Sequence, residues 1–327
     1  MSSEESMCSI CNVRESSGFS YGVLCCGACK MFFRRALFVK NIDTCRQKGE
    51  CIKKCRYCRF QKCIQAGMSY TPTENLLELK NNDSLSAFIF NLAHQDELRK
   101  YQLMNCRYDG DPTVAEIAEH NTPLNFTKKP DDFPMNLGEW IFITGLTSLN
   151  YLKKFNHVNM LNASDRHFLL KYSFFDMSIF TDSMRACEKG EGVITFPDGT
   201  EVIRAEVPGL EQKFLNGIRC RLAARVNELK VTKEEFLLLS AVFFCNPGLP
   251  GISESGRGIL STYQKIYTSA LLQYCLLTYQ QTGPTRFTDL LSVLQVVTKT
   301  RQDISYLFIL NSIRGPPSAL KKIFIFR

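Results

Sequence analysis

Ten of the 15 cysteines fall within the first 63 residues, and their spacing is that of metal ligands. Cys8 and Cys11 are separated by two residues, as are Cys26 and Cys29. Two such tight turns present four thiolates at the spacing that closes a tetrahedral zinc ion, with Zn–S of about 2.3 Å. A second set follows: Cys45 and Cys51, five residues apart, then Cys55 and Cys58, two apart. Isolated CxxC pairs are common, but two complete quartets in one short stretch point to two Zn2+ ions rather than to a redox pair. The other five, Cys106, Cys187, Cys220, Cys245 and Cys275, are scattered and read as buried apolar fillers.

Something must hold those thiolates, and the stretch LCCGACKMFFRR (residues 24–35) reads as a helix that does. At 100° per residue, Cys29, Phe32, Phe33 and Ala36 fall on one side, and Gly27, Lys30, Met31 and Arg34 on the other. A metal ligand and aromatics thus point inward. The opposite face combines small residues with two cations, a surface that suits a DNA major groove, where Lys and Arg reach guanine O6 and N7. Arg35 lies on the flank, better placed for phosphate. A second helix is expected over residues 56–66, with Phe60, Cys63 and Ile64 inward, Gly67 as its stop, and Arg59 and Lys62 outside. Those two cations are either phosphate contacts or a solvated face.

Charge follows the same division. Residues 1–70 hold 12 Lys and Arg against 5 Asp and Glu, while residues 71–327 hold 28 against 27. The excess of 12 − 5 = +7 falls to +3 once two four-thiolate zinc sites, each −2, are included, so the cations must be gathered on one face to act. The N-terminal MSSEES has no apolar region behind it and does not read as a secretory signal. A reducing compartment is therefore expected, in which clustered cysteines bind metal. The apolar run FLLLSAVFFC (236–245) is shorter than the roughly 20 residues of a membrane span and reads as a buried helix.

YGVLCCGACKMFFRR followed by CRYCRFQKCIQAGM resembles the DNA-binding domain of nuclear hormone receptors. The 15 residues between Cys29 and Cys45, the FFRR after the helix-borne cysteine, and Gly67-Met68 all match. The resemblance implies that the helix at 27–40 enters the major groove of a double-stranded DNA half-site, with Gly27, Ala28 and Met31, beside Lys30 and Arg34, choosing the sequence. Two departures stand out. In the family 13 residues separate the second and third ligands of the first finger; here 13 separate Cys11 from Cys25 and 14 separate it from Cys26. The two-residue turn to Cys29 and the alignment with the following helix favour Cys26. In the second finger, only three residues separate Cys51 from Cys55 where the family has about nine. The five residues 46–50, where the family places a dimer contact, are retained.

From residue 71 to 83 the chain is polar and reads as a hinge, followed by helical periodicity to the end. Three divisions are expected: a two-zinc domain at 1–70, the hinge, and a regulatory domain at 84–327. The fold class is mostly α, the second domain an all-helical three-layer sandwich with one small β-hairpin, where Pro-Asp-Gly separates 193–196 from 200–203. NYLKKFNHVNMLNASDRHFLLK (150–171) is similar to the signature of receptor ligand-binding domains, and TRFTDLLSVL to a helix used for homo- or heterodimerisation.

The resemblance further implies a small lipophilic ligand inside the sandwich. Arg185 falls where the family anchors it; a cation among Phe174, Phe175, Ile179 and Phe180 needs either a ligand or a structural carboxylate partner. Coregulator proteins in the family dock a short helix between a lysine and a glutamate. Lys153 and Leu170 match that groove, but Lys322 stands where the glutamate is expected. A lysine cannot accept from the N–H groups of a docked helix, so weak activation through this groove is expected. GISES (251–255) lacks the last glycine of a nucleophile elbow, and its serines read as helix caps. No catalytic constellation is visible. The expectation is a nuclear transcription factor with no membrane partner; the competing class is an interaction protein that sequesters receptors without holding DNA.

Overall fold

The computed structural model describes residues 6–39, 42, 45, 55–72, 82–120, 122–314 and 321–324. It opens with a hairpin of β1 (Phe19–Ser20) and β2 (Val23–Leu24), in which Phe19 pairs with Leu24 and Ser20 with Val23. Tyr21 and Gly22 form its turn at φ of 56° and 85°, the left-handed pair that matches strand twist and that glycine adopts freely. Then come α1 (Gly27–Val39) and α2 (Arg56–Gln65). Phe33 of α1 and Phe60 of α2 are fully buried and stack with ring centroids 5.6 Å apart. After α2, Gly67 turns at φ 97° and the Met68 N–H returns to Cys63 O at 2.9 Å, closing the C-terminus as a glycine cap does. The first helix was expected to reach Lys40, which lies outside the described residues.

α3 (Asn82–Asn105) buries two faces. Ala87 and Leu98, with Phe90 alongside, complete the core of the zinc module, while Leu85, Phe88 and Leu92 enter the larger core of the helical body. Apolar residues on two sides give it two partners. Most of the expected hinge lies outside the described residues, but its start is fastened. Asn91 Oδ1 accepts from the Tyr70 N–H at 3.0 Å, and Thr71 Oγ1 accepts from Asn156 Nδ2 at 3.2 Å.

The remaining elements are β3 (Cys106–Arg107), α4 (Val114–Glu119), β4 (Thr127–Lys128), α5 (Leu137–Leu152), α6 (Asn156–Met160), α7 (Ala163–Glu188), α8 (Gln212–Glu228), α9 (Lys233–Phe243), α10 (Glu254–Tyr279) and α11 (Gly283–Arg314), with 3-10 turns at Gln280–Thr282 and Lys322–Phe324. α7 and α9 lie between α3 and α5 on one side and α10 and α11 on the other, the three layers expected. Between α5 and α7 the chain meets Asn162, whose side chain accepts from Asp165 N–H, while Asp165 Oδ1 accepts from Ser253 N–H at 2.7 Å. Ser253 caps α10, the role expected for the serines of GISES. No helix among the described residues is long and apolar enough to cross a membrane.

The expected hairpin is reduced to a single bridge, Thr195 opposite Glu201, with Val202 N–H donating to Ile194 O at 3.0 Å. The two-residue ladder between β3 and β4 was not anticipated, because its strands are joined by a long excursion rather than a turn.

Candidate metal centres and nucleic acid interface

The sulfur atoms of Cys8, Cys11, Cys26 and Cys29 all lie within 4.8 Å of one another. A tetrahedron with Zn–S of about 2.3 Å has edges of roughly 3.8 Å, and the Cys11 and Cys26 sulfurs are 3.9 Å apart. Burial would raise the Cys8 thiol, but backbone N–H groups of Cys11, Cys26 and Ile10 aimed at its sulfur prevail and bring it down to about 6. The donor set and its environment therefore fit a zinc ion. Cys25 stays outside: its buried sulfur is turned towards Ser20 O, 4.0 Å away, and burial raises its thiol. Cys45, Cys55 and Cys58 form a second group within the same limit, and Cys51 lies outside the described residues. Cys63 is fully buried, raised to about 12 chiefly by burial, and belongs to the core.

α1 divides as its sequence divides. Cys26, Cys29, Phe33, Ala36 and Leu37 are buried, whereas Gly27, Lys30, Met31, Arg34 and Arg35 are exposed and Ala28 is half-buried. Arg35 Nε donates to Met31 O one turn back at 3.3 Å, which leaves its other nitrogens outward. Lys62 is half-buried.

Arg59 sits differently from its expected outward position. Its Nη2 donates to Ala28 O at 3.3 Å and to the Cys29 sulfur at 3.6 Å, and its guanidinium covers the Phe32 ring at 4.3 Å. Arg59 braces α1 from within, supplying a charged donor to a zinc-binding sulfur. Helical periodicity alone put it on the wrong side; the aromatic and carbonyl that draw it inward, Phe32 and Ala28, come from α1, a separate helix earlier in the chain.

In the helical body, Arg185 has a structural partner. Its Nη2 donates to Asp182 Oδ1 at 2.8 Å and also to Thr195 O, so of the two alternatives a carboxylate is in place. Burial raises the Asp182 carboxyl, with Arg185 opposing. Asp182, not Arg185, lines a narrow apolar cavity with Thr144, Phe175, Ser178, Ile179 and Phe324. Lys153 is 5% exposed rather than open to solvent, and Leu170 is fully buried. Lys322 is exposed beside the first turn of α4, its backbone N–H donating to Asp111 Oδ1 at 2.8 Å.

Residues 6–70 match the model of the double treble clef zinc finger of C4 type, and residues 135–310 that of the ligand-binding domain of nuclear hormone receptor. Nuclear hormone receptor family member nhr-167 of Caenorhabditis elegans is 35% identical over 328 residues, spanning 97% of this chain and 95% of that protein. Family member nhr-9 of the same organism is 37% identical over 327 residues, 98% of this chain and 96% of its own. Family member nhr-27 is 35% identical over 322 residues, 95% and 88%.

Proposed function

The chain belongs to the nuclear hormone receptor family of non-enzymatic, DNA-binding transcription factors, and from that premise we propose that it reads a DNA half-site with the exposed face of α1. The carrying observation is the two-sided helix: Cys29 and Phe33 anchor one side while Lys30, Arg34 and Arg35 are exposed on the other. Its two cysteine groups suit two zinc ions. In this reading Cys8, Cys11, Cys26 and Cys29 hold one, and Cys45, Cys51, Cys55 and Cys58 the other. The ions supply rigid cross-links; the protein's own residues do the reading. Lys30 and Arg34 face base edges, Gly27, Ala28 and Met31 shape the fit, and Arg35 and Lys62 meet phosphate.

The regulatory half, residues 84–327, takes a small lipophilic ligand, and the narrow cavity lined by Thr144 and Asp182, about 40 Å³, would widen to admit it. Thr144 Oγ1 is buried without a hydrogen-bond partner among the described residues, a group a ligand's polar atom would satisfy. Coregulator proteins dock between Lys153 and Lys322, dimerisation uses a second receptor chain, and the site of action is the nucleus.

Selection of zinc-loaded full-length protein on random double-stranded DNA tests the reading. Enrichment of one half-site is expected. A second reading, sequestration of receptor partners without DNA binding, is favoured by the three-residue spacing of Cys51 and Cys55, which leaves little backbone for phosphate. Absence of any enriched sequence would select it.

A further inference from the structure

The end of α2, the last turns of α3 and the segment 122–126 enclose a cleft of about 600 Å³. It lies where the zinc module meets the helical body, the kind of junction at which small-molecule sites concentrate, and it falls within their usual range of about 300–1,000 Å³. It shares no residue with the cavity at Thr144 and Asp182.

The sides of the cleft are tied in place. Thr122 O accepts from Lys153 Nζ at 2.8 Å, and Asn150 Oδ1 accepts from the Leu124 N–H at 2.9 Å, so the segment is held at its start and its middle. Beyond it, β4 pairs antiparallel with β3, and the Phe126 and Tyr108 rings meet edge-on 5.7 Å apart. Asn150 Nδ2 also donates to Gln102 Oε1 at 3.1 Å, which links the segment to α3. On the zinc-module side, a Cβ placed on Gly67 would stand 3.5 Å from Pro123 Cγ, so the turn after α2 rests against the segment. A cleft braced in this way is present before anything enters it, which leaves little ordering for a ligand to impose.

Its lining is wholly uncharged. Leu98, 8% exposed, and Phe126 supply apolar surface, and Tyr101 is 54% exposed. The Tyr101 hydroxyl and the exposed side-chain amides of Gln65 and Asn125 have no hydrogen-bond partner among the described residues. An amide side chain sets an acceptor beside a donor and pairs through two parallel bonds with an edge of the same kind, as Asn and Gln do with adenine. Aromatic rings add surface on which a flat molecule stacks. A carboxylate, phosphate or ammonium entering here would leave water with no countercharge to meet it.

We propose that this cleft binds a flat, uncharged heterocycle with an amide-like edge, of the purine or pyridine-carboxamide class, held between Gln65 of the zinc module and Asn125 of the helical body and stacked on Tyr101. The occupant touches both halves of the chain, so its binding fastens one to the other.

The test titrates zinc-loaded full-length protein with nicotinamide and adenine as the uncharged probes, and with nicotinate and benzoate as flat acids. At least one uncharged probe should bind below about 1 mM, the weak end of specific affinity, and about tenfold or more tighter than either acid. Tyr101→Ala and Asn125→Ala remove exposed side chains, and each should weaken that probe about tenfold, as loss of a stacking ring or a paired amide edge does. On the unmodified chain, the bound probe should slow amide exchange at residues 63–67 and 122–126 together. Binding of neither uncharged probe, equal binding of the acids, or undiminished affinity in both variants would overturn the proposal. Slowing at 122–126 alone would overturn the joining of the two halves.

Discussion

Phe60 of α2 and Phe90 of α3 face each other with ring centroids 5.8 Å apart, and His94, one turn further along α3, meets the same Phe60 ring at 5.1 Å. The zinc module therefore finishes its hydrophobic core with a helix that also belongs to the regulatory half. Gln61 Nε2 and His94 Nδ1, 3.3 Å apart, extend the seam, and His94 pairs in turn with Glu97, which reaches Lys233 of α9.

Truncating Phe60 to alanine should cost about 3–5 kcal/mol, as for other fully buried aromatics. In denaturant melts of the zinc-loaded chain, Phe60→Ala and Phe90→Ala should be non-additive by about 0.5–3 kcal/mol. Additivity within experimental error would show that the two rings belong to separate cores.

Cys26→Ser should lower bound zinc from two ions to one per chain in a metal titration, while Cys25→Ser should leave two. The basis is the sulfur cluster, which includes Cys26 and leaves Cys25 turned towards Ser20 O. Equal loss in both variants would contradict this assignment.

Three cations near α1 should separate in DNA-binding measurements. Lys30→Ala flattens base preference, and Arg35→Ala weakens all sequences alike and reduces the salt slope by about one. Arg59→Ala should leave the salt slope alone and weaken zinc binding about 10- to 100-fold, as loss of a group bracing a metal ligand does. A slope change for Arg59→Ala comparable to that of Arg35→Ala would return Arg59 to the phosphate-facing side.

His157 is fully buried beside Cys245 and Tyr267, and burial lowers its pKa from 6.5 to about 3. The unfolded chain takes up this proton near pH 6.5, the folded chain only near 3. The neutral form's contribution is thus complete above pH 6.5 and falls with pH towards 3, by up to about 1.4 kcal/mol per pH unit. His157→Phe should remove that part of the acid slope in melts at pH 7, 6 and 5; an unchanged slope would show that His157 does not cause it.

Much of this was legible in the sequence because local rules governed it. The cysteine spacings, the two sides of α1, and the inward Phe60, Cys63 and Ile64 follow from turns and a 3.6-residue period. The Thr113–Glu116 and Thr232–Glu235 capping boxes obey the same kind of local rule. What escaped was set by distant partners. Arg59 turns inward to Ala28 and Phe32, and Lys153 finds the carbonyls of Ile117 and Thr122. None of these pairings is visible until the chain has folded the participants together.

α3 gives Ala87 and Leu98 to the core of the zinc module and Leu85, Phe88 and Leu92 to that of the helical body. One helix thus serves as a shared axle: a displacement of α3 in the body is also a displacement of the wall against which α1 and α2 are packed.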